Sequence, residues 1–357
     1  EALSRVFADA FGAETALVKP QLVSGTHAIS ACLFGNLRPG DHLLSISGPP
    51  YETLQRIIKG PGRRSLKGWA IDYSEVNLTP SGGIDIDAAV AALRPETRMV
   101  LIQRSCGYTI RRALTIAEIA EAVDAIRRVR PDICIFVDNC YGEFVEEYEP
   151  THVGVDLMAG SLIKNPGGTL APSGGYIAGR REYVLAAADA VTAPGLGKEV
   201  GPVLGMGRIL LQGLFQAPHT VGEALMGAVV AAALFEDLGY RVLPRFDDFR
   251  SDTVQIVEFG DPDLMRIACE AVQQASPVDS MVTPVPGDLP GYDVPVVMAA
   301  GTFVQGSSAE FSADGPIRPP YALFMQGGVS KEHVIIALQA VVDRIAAASK
   351  LAQEHSR

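Results

Sequence analysis

Over its first two-thirds the chain alternates short, unbroken apolar runs with stretches whose apolar residues recur at helical spacing. His42 to Ser47, Met99-Val100-Leu101-Ile102, Ile133 to Val137, Leu157 to Ile163 and Gly175 to Ala178 are predicted strands. An unbroken apolar strand is one buried on both faces. Ala28 to Leu37 and Ile116 to Val129 have helical spacing, and the second stops at Pro131. Another helix is expected around Val221 to Leu238. This alternation predicts an α/β fold, with a parallel or mixed sheet between two helical layers.

After Gly239 the pattern changes to a region rich in Pro and Asp. Thr253 to Phe259 and Val294 to Ala299 read as strands, and Asp263 to Gln274 and Lys331 to Gln353 as helices. The last helix carries a stripe of Val334, Leu338, Val341, Val342 and Ile345. The expected organisation is a large domain over residues 1–238 and a smaller α+β domain over 239–357. Glu1 opens directly in helix-like sequence, and an N-terminal piece is expected to precede it.

Composition narrows the function classes. With 357 residues, 48% hydrophobic and 20% charged, the chain is an ordinary globular one. A net charge of −11, with no basic run longer than Gly62-Arg63-Arg64, argues against nucleic acid and acidic membrane surfaces as partners. Cys32, Cys106, Cys134, Cys140 and Cys269 form no C-x-x-C pair, which reads as reduced thiols in a cytoplasm. The histidines have no metal-ligand spacing, so no metal is expected. No apolar run reaches about 18 residues, the length of a membrane span. The longest, Ala224 to Phe235, reads as a buried helix. Glu146-Glu147 and Asp247-Asp248 read as solvated faces, and Cys140 as a packing residue.

Three segments carry chemistry. In Ser24-Gly25-Thr26-His27-Ala28-Ile29 a small-residue turn runs into an apolar helix, whose free N–H groups suit a phosphate. A plain helix cap explains that turn equally well when it is taken alone. In Phe136-Val137-Asp138-Asn139 an acid ends a buried strand, where open α/β sheets place ligands. In Ser161-Leu162-Ile163-Lys164-Asn165-Pro166-Gly167-Gly168 a lysine ends an apolar strand before a Gly-Pro loop. Burial lowers a lysine's pKa and makes it nucleophilic. A phosphate cradle, an acid for a pyridine nitrogen and a Schiff-base lysine together are what pyridoxal 5′-phosphate (PLP) needs.

These segments resemble the motifs of the fold-type-I PLP enzymes of Cys/Met metabolism, which include cystathionine lyases and methionine γ-lyase. The chain is closer to the branch of cystathionine β-lyase-like proteins associated with aluminium resistance. Asp138 to Phe144, Ala159 to Gly175, Thr192 to Gly201 and Ser312 to Tyr321 carry that likeness, which spans nearly the whole chain. The resemblance implies a three-layer PLP domain with a smaller C-terminal domain, working as a homodimer or homotetramer on a small amino-acid substrate. It implies Lys164 as the Schiff-base lysine and Asp138 as the acid at the ring nitrogen. It further implies phosphate contacts from Gly25, Thr26 and Ser161, with Tyr51 stacked on the ring and serving in catalysis.

The family's carboxylate-binding arginine has no counterpart in Ala322 to Gly328, which leaves Arg318 as the nearest candidate for the substrate carboxylate. Cys106 stands where the closer branch often has arginine. The implied reaction is γ- or β-elimination from a sulfur-containing amino acid, with the γ route preferred. An aldolase or transaminase on the same scaffold, and a PLP-binding regulatory protein without turnover, remain open alternatives.

Overall fold

The computed structural model describes residues 1–355, apart from the side chains of residues 349 and 351–355. Strands β1 (Thr15–Lys19), β2 (His42–Ser45), β3 (Asp72–Glu75), β4 (Thr97–Gln103), β5 (Cys134–Asp138), β6 (Leu157–Ser161) and β7 (Gly175–Gly179) form one sheet. Its order is β1-β7-β6-β5-β4-β2-β3. The strands from β3 to β6 run parallel, and β7 and β1 are added antiparallel.

Both faces of this sheet are covered. Along β5, Cys134 and Phe136 enter one core while Ile135 and Val137 enter the other. One core is closed by α1 (Ala2–Ala10), α4 (Ile86–Ala91), α5 (Ile116–Val129) and the start of α7 (Gly207–Asp237). The other is closed by α2 (Gly25–Asn36), α3 (Glu52–Lys59) and α6 (Arg181–Val191). The α/β, three-layer fold expected from the sequence is therefore present.

Local chemistry sets the ends of α5. Thr115 and Glu118 form a reciprocal capping box at its start, and Arg130 ends it one residue before Pro131. Ile116, Ile119, Val123 and Ile126 form its buried stripe. Full burial of each such side chain contributes roughly 1.5–3 kcal/mol.

A second sheet follows α7, in the order β10-β11-β12-β9-β8 and antiparallel throughout. Its strands are β8 (Arg241–Leu243), β9 (Gln255–Glu258), β10 (Val296–Ala299), β11 (Ser312–Pro316) and β12 (Ala322–Gln326). On one face Leu323 and Met325 pack with α8 (Pro262–Ala275), α9 (Lys331–His355) and the end of α7. On the other face Ala322 and Phe324 pack with Cys106, Tyr108 and Tyr141, which follow β4 and β5 of the first sheet.

The sequence pattern did not reveal β3, β8, β11 or β12. β3 is a partly polar edge strand, and β11 contains Asp314, Gly315 and Pro316, which read as turn residues. Yet all five residues of β11 are buried.

Helix α7 is longer than its apolar run suggested, starting at Gly207 and running through Pro218. It is the one described helix long and apolar enough to cross a membrane by length and composition, and half of that stretch is buried. Gly213 on α7 and Gly167 on the loop after Lys164 meet so closely that a Cβ at Gly213 would lie 2.2 Å from the Gly167 carbonyl oxygen. Glycines there let the lysine loop rest directly on the helix backbone.

Candidate active site

Parallel strands deliver their last residues to one edge. Gln103 ends β4 opposite Asp138 at the end of β5, and Ser161 ends the neighbouring β6. Around them opens a cavity of about 300 Å³. Gly25, Thr26, Tyr51, Asp138, Ser161 and Lys164, scattered over 140 positions (164 − 25 = 139 intervals), all line it. This is the carboxyl-end location that open α/β sheets use for ligands.

At one end of the cavity α2 begins. Ser24 caps it, its hydroxyl accepting from the His27 N–H at 3.1 Å. The first turn of a helix leaves N–H groups for an anion. A Cβ added at Gly25 would stand 3.2 Å from the Cys140 Sγ and 3.2 Å from the Ser161 Cβ. Gly25 thus keeps open a cradle that a larger residue would fill. The Thr26 hydroxyl shares a hydrogen bond of 2.6 Å with the Tyr51 phenol. Gln103 fixes Tyr51 further, its Oε1 accepting from the Tyr51 N–H at 2.7 Å. Burial first, and Asp138 second, push the Tyr51 phenol well above its usual range, so it remains a neutral donor.

Asp138 is buried, and its Oδ1 accepts from the Cys140 N–H at 3.2 Å. Burial pushes its carboxyl up, while the Lys164 ammonium and the Cys140 N–H pull the other way. Lys164 caps the short 3-10 turn Asn165–Gly167, and its Nζ lies 3.7 Å from the centre of the Tyr141 ring. Asn165 steadies that turn by donating to the carbonyls of Tyr141 and Glu143, each at 3.0 Å.

The expectation of a lowered lysine pKa is corrected by this geometry. Burial does lower it, but the neighbouring Cys140, Tyr141, Asp138 and Tyr51 act in the opposite direction, and the net shift is upward. Apolar neighbours in sequence signal burial, but not the polar groups that folding places around the amine.

Behind Asp138 lies a buried polar network that the sequence did not disclose. Arg104 is fully buried and donates to Asn139 Oδ1, the Gly142 carbonyl and Glu146 Oε1, each at 2.9 Å. Asn139 donates in turn to Glu149 at 2.8 Å. Glu146 is therefore not on a solvated face: a buried guanidinium has recruited it. Its neighbour Glu147 is exposed, as are Asp247 and Asp248.

Arg318 lies elsewhere than the resemblance implied. It is not among the residues lining the cavity, and its guanidinium donates to Glu52 at 2.9 Å and to the Tyr108 carbonyl at 3.3 Å. With its charge matched by Glu52, it links the segment after β11 to α3 rather than forming a cavity wall. The five cysteines are free and buried. Burial pushes the Cys106 thiol up to about 12 and the Cys140 thiol well above its usual range, which suits packing rather than nucleophilic attack. The side chain of His355 lies outside the described residues.

Tyr141 and Asp314 are among the cavity residues that the sequence did not single out. Tyr141 has a positive φ of 72° and its ring lies against the Lys164 amine. Asp314 lines the cavity from β11, a strand the sequence pattern concealed.

Residues 1–346 match the methionine gamma-lyase family. The chain belongs to that family. Its Bacillus subtilis (strain 168) relative, the uncharacterized protein YnbB, is 50% identical over 348 residues, covering 97% of this chain and 83% of YnbB. The crystal structure of a candidate cystathionine β-lyase involved in aluminium resistance from Listeria monocytogenes superposes with a TM-score of 0.93 at 47% identity. It covers 96% of this chain and 85% of that one. A carbon–sulfur lyase involved in aluminium resistance from Clostridium novyi NT gives a TM-score of 0.92 at 45% identity, over 96% and 82% of the two chains.

The methionine γ-lyase family uses PLP. Family and structural neighbours together point to a lyase of the cystathionine/methionine, carbon–sulfur-cleaving kind on a fold-type-I scaffold. The residues present suit that cofactor: a cradle kept open by Gly25, a buried acid, a buried amine and a cavity of adequate size.

Proposed function

We propose that the chain is a PLP-dependent lyase that removes a sulfur-linked group from an amino acid by γ-elimination. The observation that carries this reading is the convergence of Lys164, Asp138 and the Gly25–Ser161 cradle on one cavity. Gly25, Thr26 and Ser161 would hold the phosphate, Asp138 would keep a proton on the ring nitrogen, and Lys164 would anchor the cofactor covalently through Nζ. When bound, the cofactor supplies an electron sink for the pair left as the substrate loses its α-proton.

The chain's own groups account for the proton movements. Lys164 Nζ, released as a free amine once the substrate's own amine has taken its place, would take the α-proton, and for γ-elimination a second proton must leave Cβ. The Tyr51 phenol, hydrogen-bonded to Thr26, would donate a proton to the departing sulfur. With one water consumed, the products are a thiol, ammonia and a 2-oxo acid. The division into units of residues 1–238 and 239–357 belongs to this proposal, with the cavity between them.

The proposal includes assembly as a homodimer or homotetramer. Leu196, Leu204 and Phe215 are exposed apolar residues on the glycine-rich loop and the start of α7, a pattern typical of a covered surface. Light scattering of an active monomer would rule this part out.

Two measurements test the catalytic reading. Borohydride should fix the cofactor to Lys164 and to no other lysine on peptide mapping. A panel of cystathionine, methionine and γ-substituted homologues should yield a γ-elimination product such as 2-oxobutanoate. Pyruvate from β-substituted substrates alone would replace γ- by β-elimination. Stoichiometric amino exchange would favour a transaminase, and cofactor binding with no product from any amino acid would favour a regulatory protein.

A further inference from the structure

On β11 the side chains alternate: Ala313 enters the small unit's core, while Asp314, paired in register with Phe324, lines the cavity. The Asp314 carboxyl is 6% exposed. Its Oδ2 accepts from Gln326 Nε2 at 2.8 Å. Its Oδ1 is buried without a hydrogen bond of normal geometry among the described residues. A buried carboxylate left in that condition is costly unless a cation or donor comes to it.

Few cations compete for it. Among the described residues lining the cavity, Lys164 carries the one basic side chain, opposite the acids Asp138 and Asp314. The nearby Arg111 guanidinium is spent on the backbone carbonyls of Gln103, Arg104, Ser105 and Arg112. Once Lys164 and Asp138 engage the cofactor, Asp314 is the charged group left facing the remaining space. Two aromatic rings stand with it. Tyr108 and Tyr292 also line the cavity, with ring centroids 5.5 Å apart in an edge-on arrangement. A carboxylate beside aromatic rings is a recognition set for an ammonium or guanidinium group.

We infer that Asp314, with Tyr108 and Tyr292, is a specificity determinant selecting substrates whose side chain ends in a cation. The inference rests on the amino-acid lyase reading and narrows its substrate class. Asp314→Asn removes the charge and keeps one carboxamide oxygen to accept from Gln326, and the backbone pairing of β11 with β12 does not depend on the side chain.

The test uses the PLP-loaded enzyme and two amino acids with the same six-carbon chain and without a leaving group, L-lysine and L-norleucine, which differ by lysine's terminal ammonium. Binding is read from the change in the bound cofactor's visible absorbance on titration. The wild-type enzyme should bind lysine about tenfold or more tightly than norleucine, the change expected for one charged contact of about 1.4 kcal/mol. In Asp314→Asn the ratio should fall to near one, with norleucine binding unchanged. Tyr292→Leu, which leaves the strand intact, should reduce the same ratio and serves if Asp314→Asn does not fold. A wild-type preference for norleucine, or a lysine preference that survives both substitutions, overturns the inference alone. No response to either amino acid removes the lyase reading and the inference with it.

Discussion

Lys164 Nζ sits 3.7 Å from the centre of the Tyr141 ring. Three residues before Tyr141 is Asp138, so one short segment supplies both the acid at the strand end and the aromatic face against the amine. A desolvated cation–π contact is worth about 2 kcal/mol, which corresponds to roughly 1.5 pH units. Tyr141→Leu should therefore shift the protonation of Lys164 in cofactor-free protein downward by about 1.5 units. Tyr141→Phe should restore most of it. The pH profile of Lys164 acylation, read by peptide mass, checks this; identical profiles for wild type and Tyr141→Leu would remove the ring from the account.

Asp138 is buried at the end of β5 and lines the cavity. Asp138→Ala should retain much of the cofactor, because the phosphate cradle and Lys164 remain. Turnover should fall about 100-fold or more, the scale of losing one preorganised electrostatic group. Bound PLP and kcat measured on the same preparation separate the two effects. Near-native turnover would contradict the role given to this acid.

Gly25 marks the cradle. In Gly25→Ala the new methyl group would press on Cys140 and Ser161 at 3.2 Å. The helix should still form, since alanine is the better helix former. Cofactor affinity should drop, with the thermal stability of the cofactor-free protein little changed. Equal PLP affinity in the two proteins would show that the cradle is not where the phosphate binds.

Glu143 gives a pH prediction. It is fully buried, its Oε1 accepts from the Tyr176 phenol at 2.7 Å, and its Oε2 has no partner among the described residues. Burial raises its pKa to about 8, against the pull of the Tyr176 hydrogen bond. A carboxyl whose pKa is higher folded than unfolded destabilises the fold as pH rises. The wild-type protein should thus lose stability from about pH 4.5 to about pH 8, by roughly a few kcal/mol from this group. Burial pushes Asp138, Glu149 and Asp252 in the same direction. Glu143→Gln, which keeps an acceptor for Tyr176, should flatten the slope and melt higher than wild type at pH 9. Parallel curves of melting temperature against pH for the two proteins would show that Glu143 is ionised throughout.

The sequence by itself determined the α/β class, the central strands and the identity of the main cavity residues. Those signals are local. An unbroken apolar run such as Ile133 to Val137 can only be a strand buried on both faces, and the acid after it must fall at a strand end. The Gly-Pro loop after Lys164 likewise marks its own turn. Only the tertiary structure decided what depends on distant neighbours. It turned Arg318 toward Glu52 instead of the cavity, drew Glu146 inward to Arg104, and surrounded Lys164 with groups that reverse the effect of burial. It made a strand of Ser312 to Pro316 and brought Asp314 into the cavity wall. Each of these is set by electrostatics and register across long sequence separations, and no periodicity along the chain encodes them.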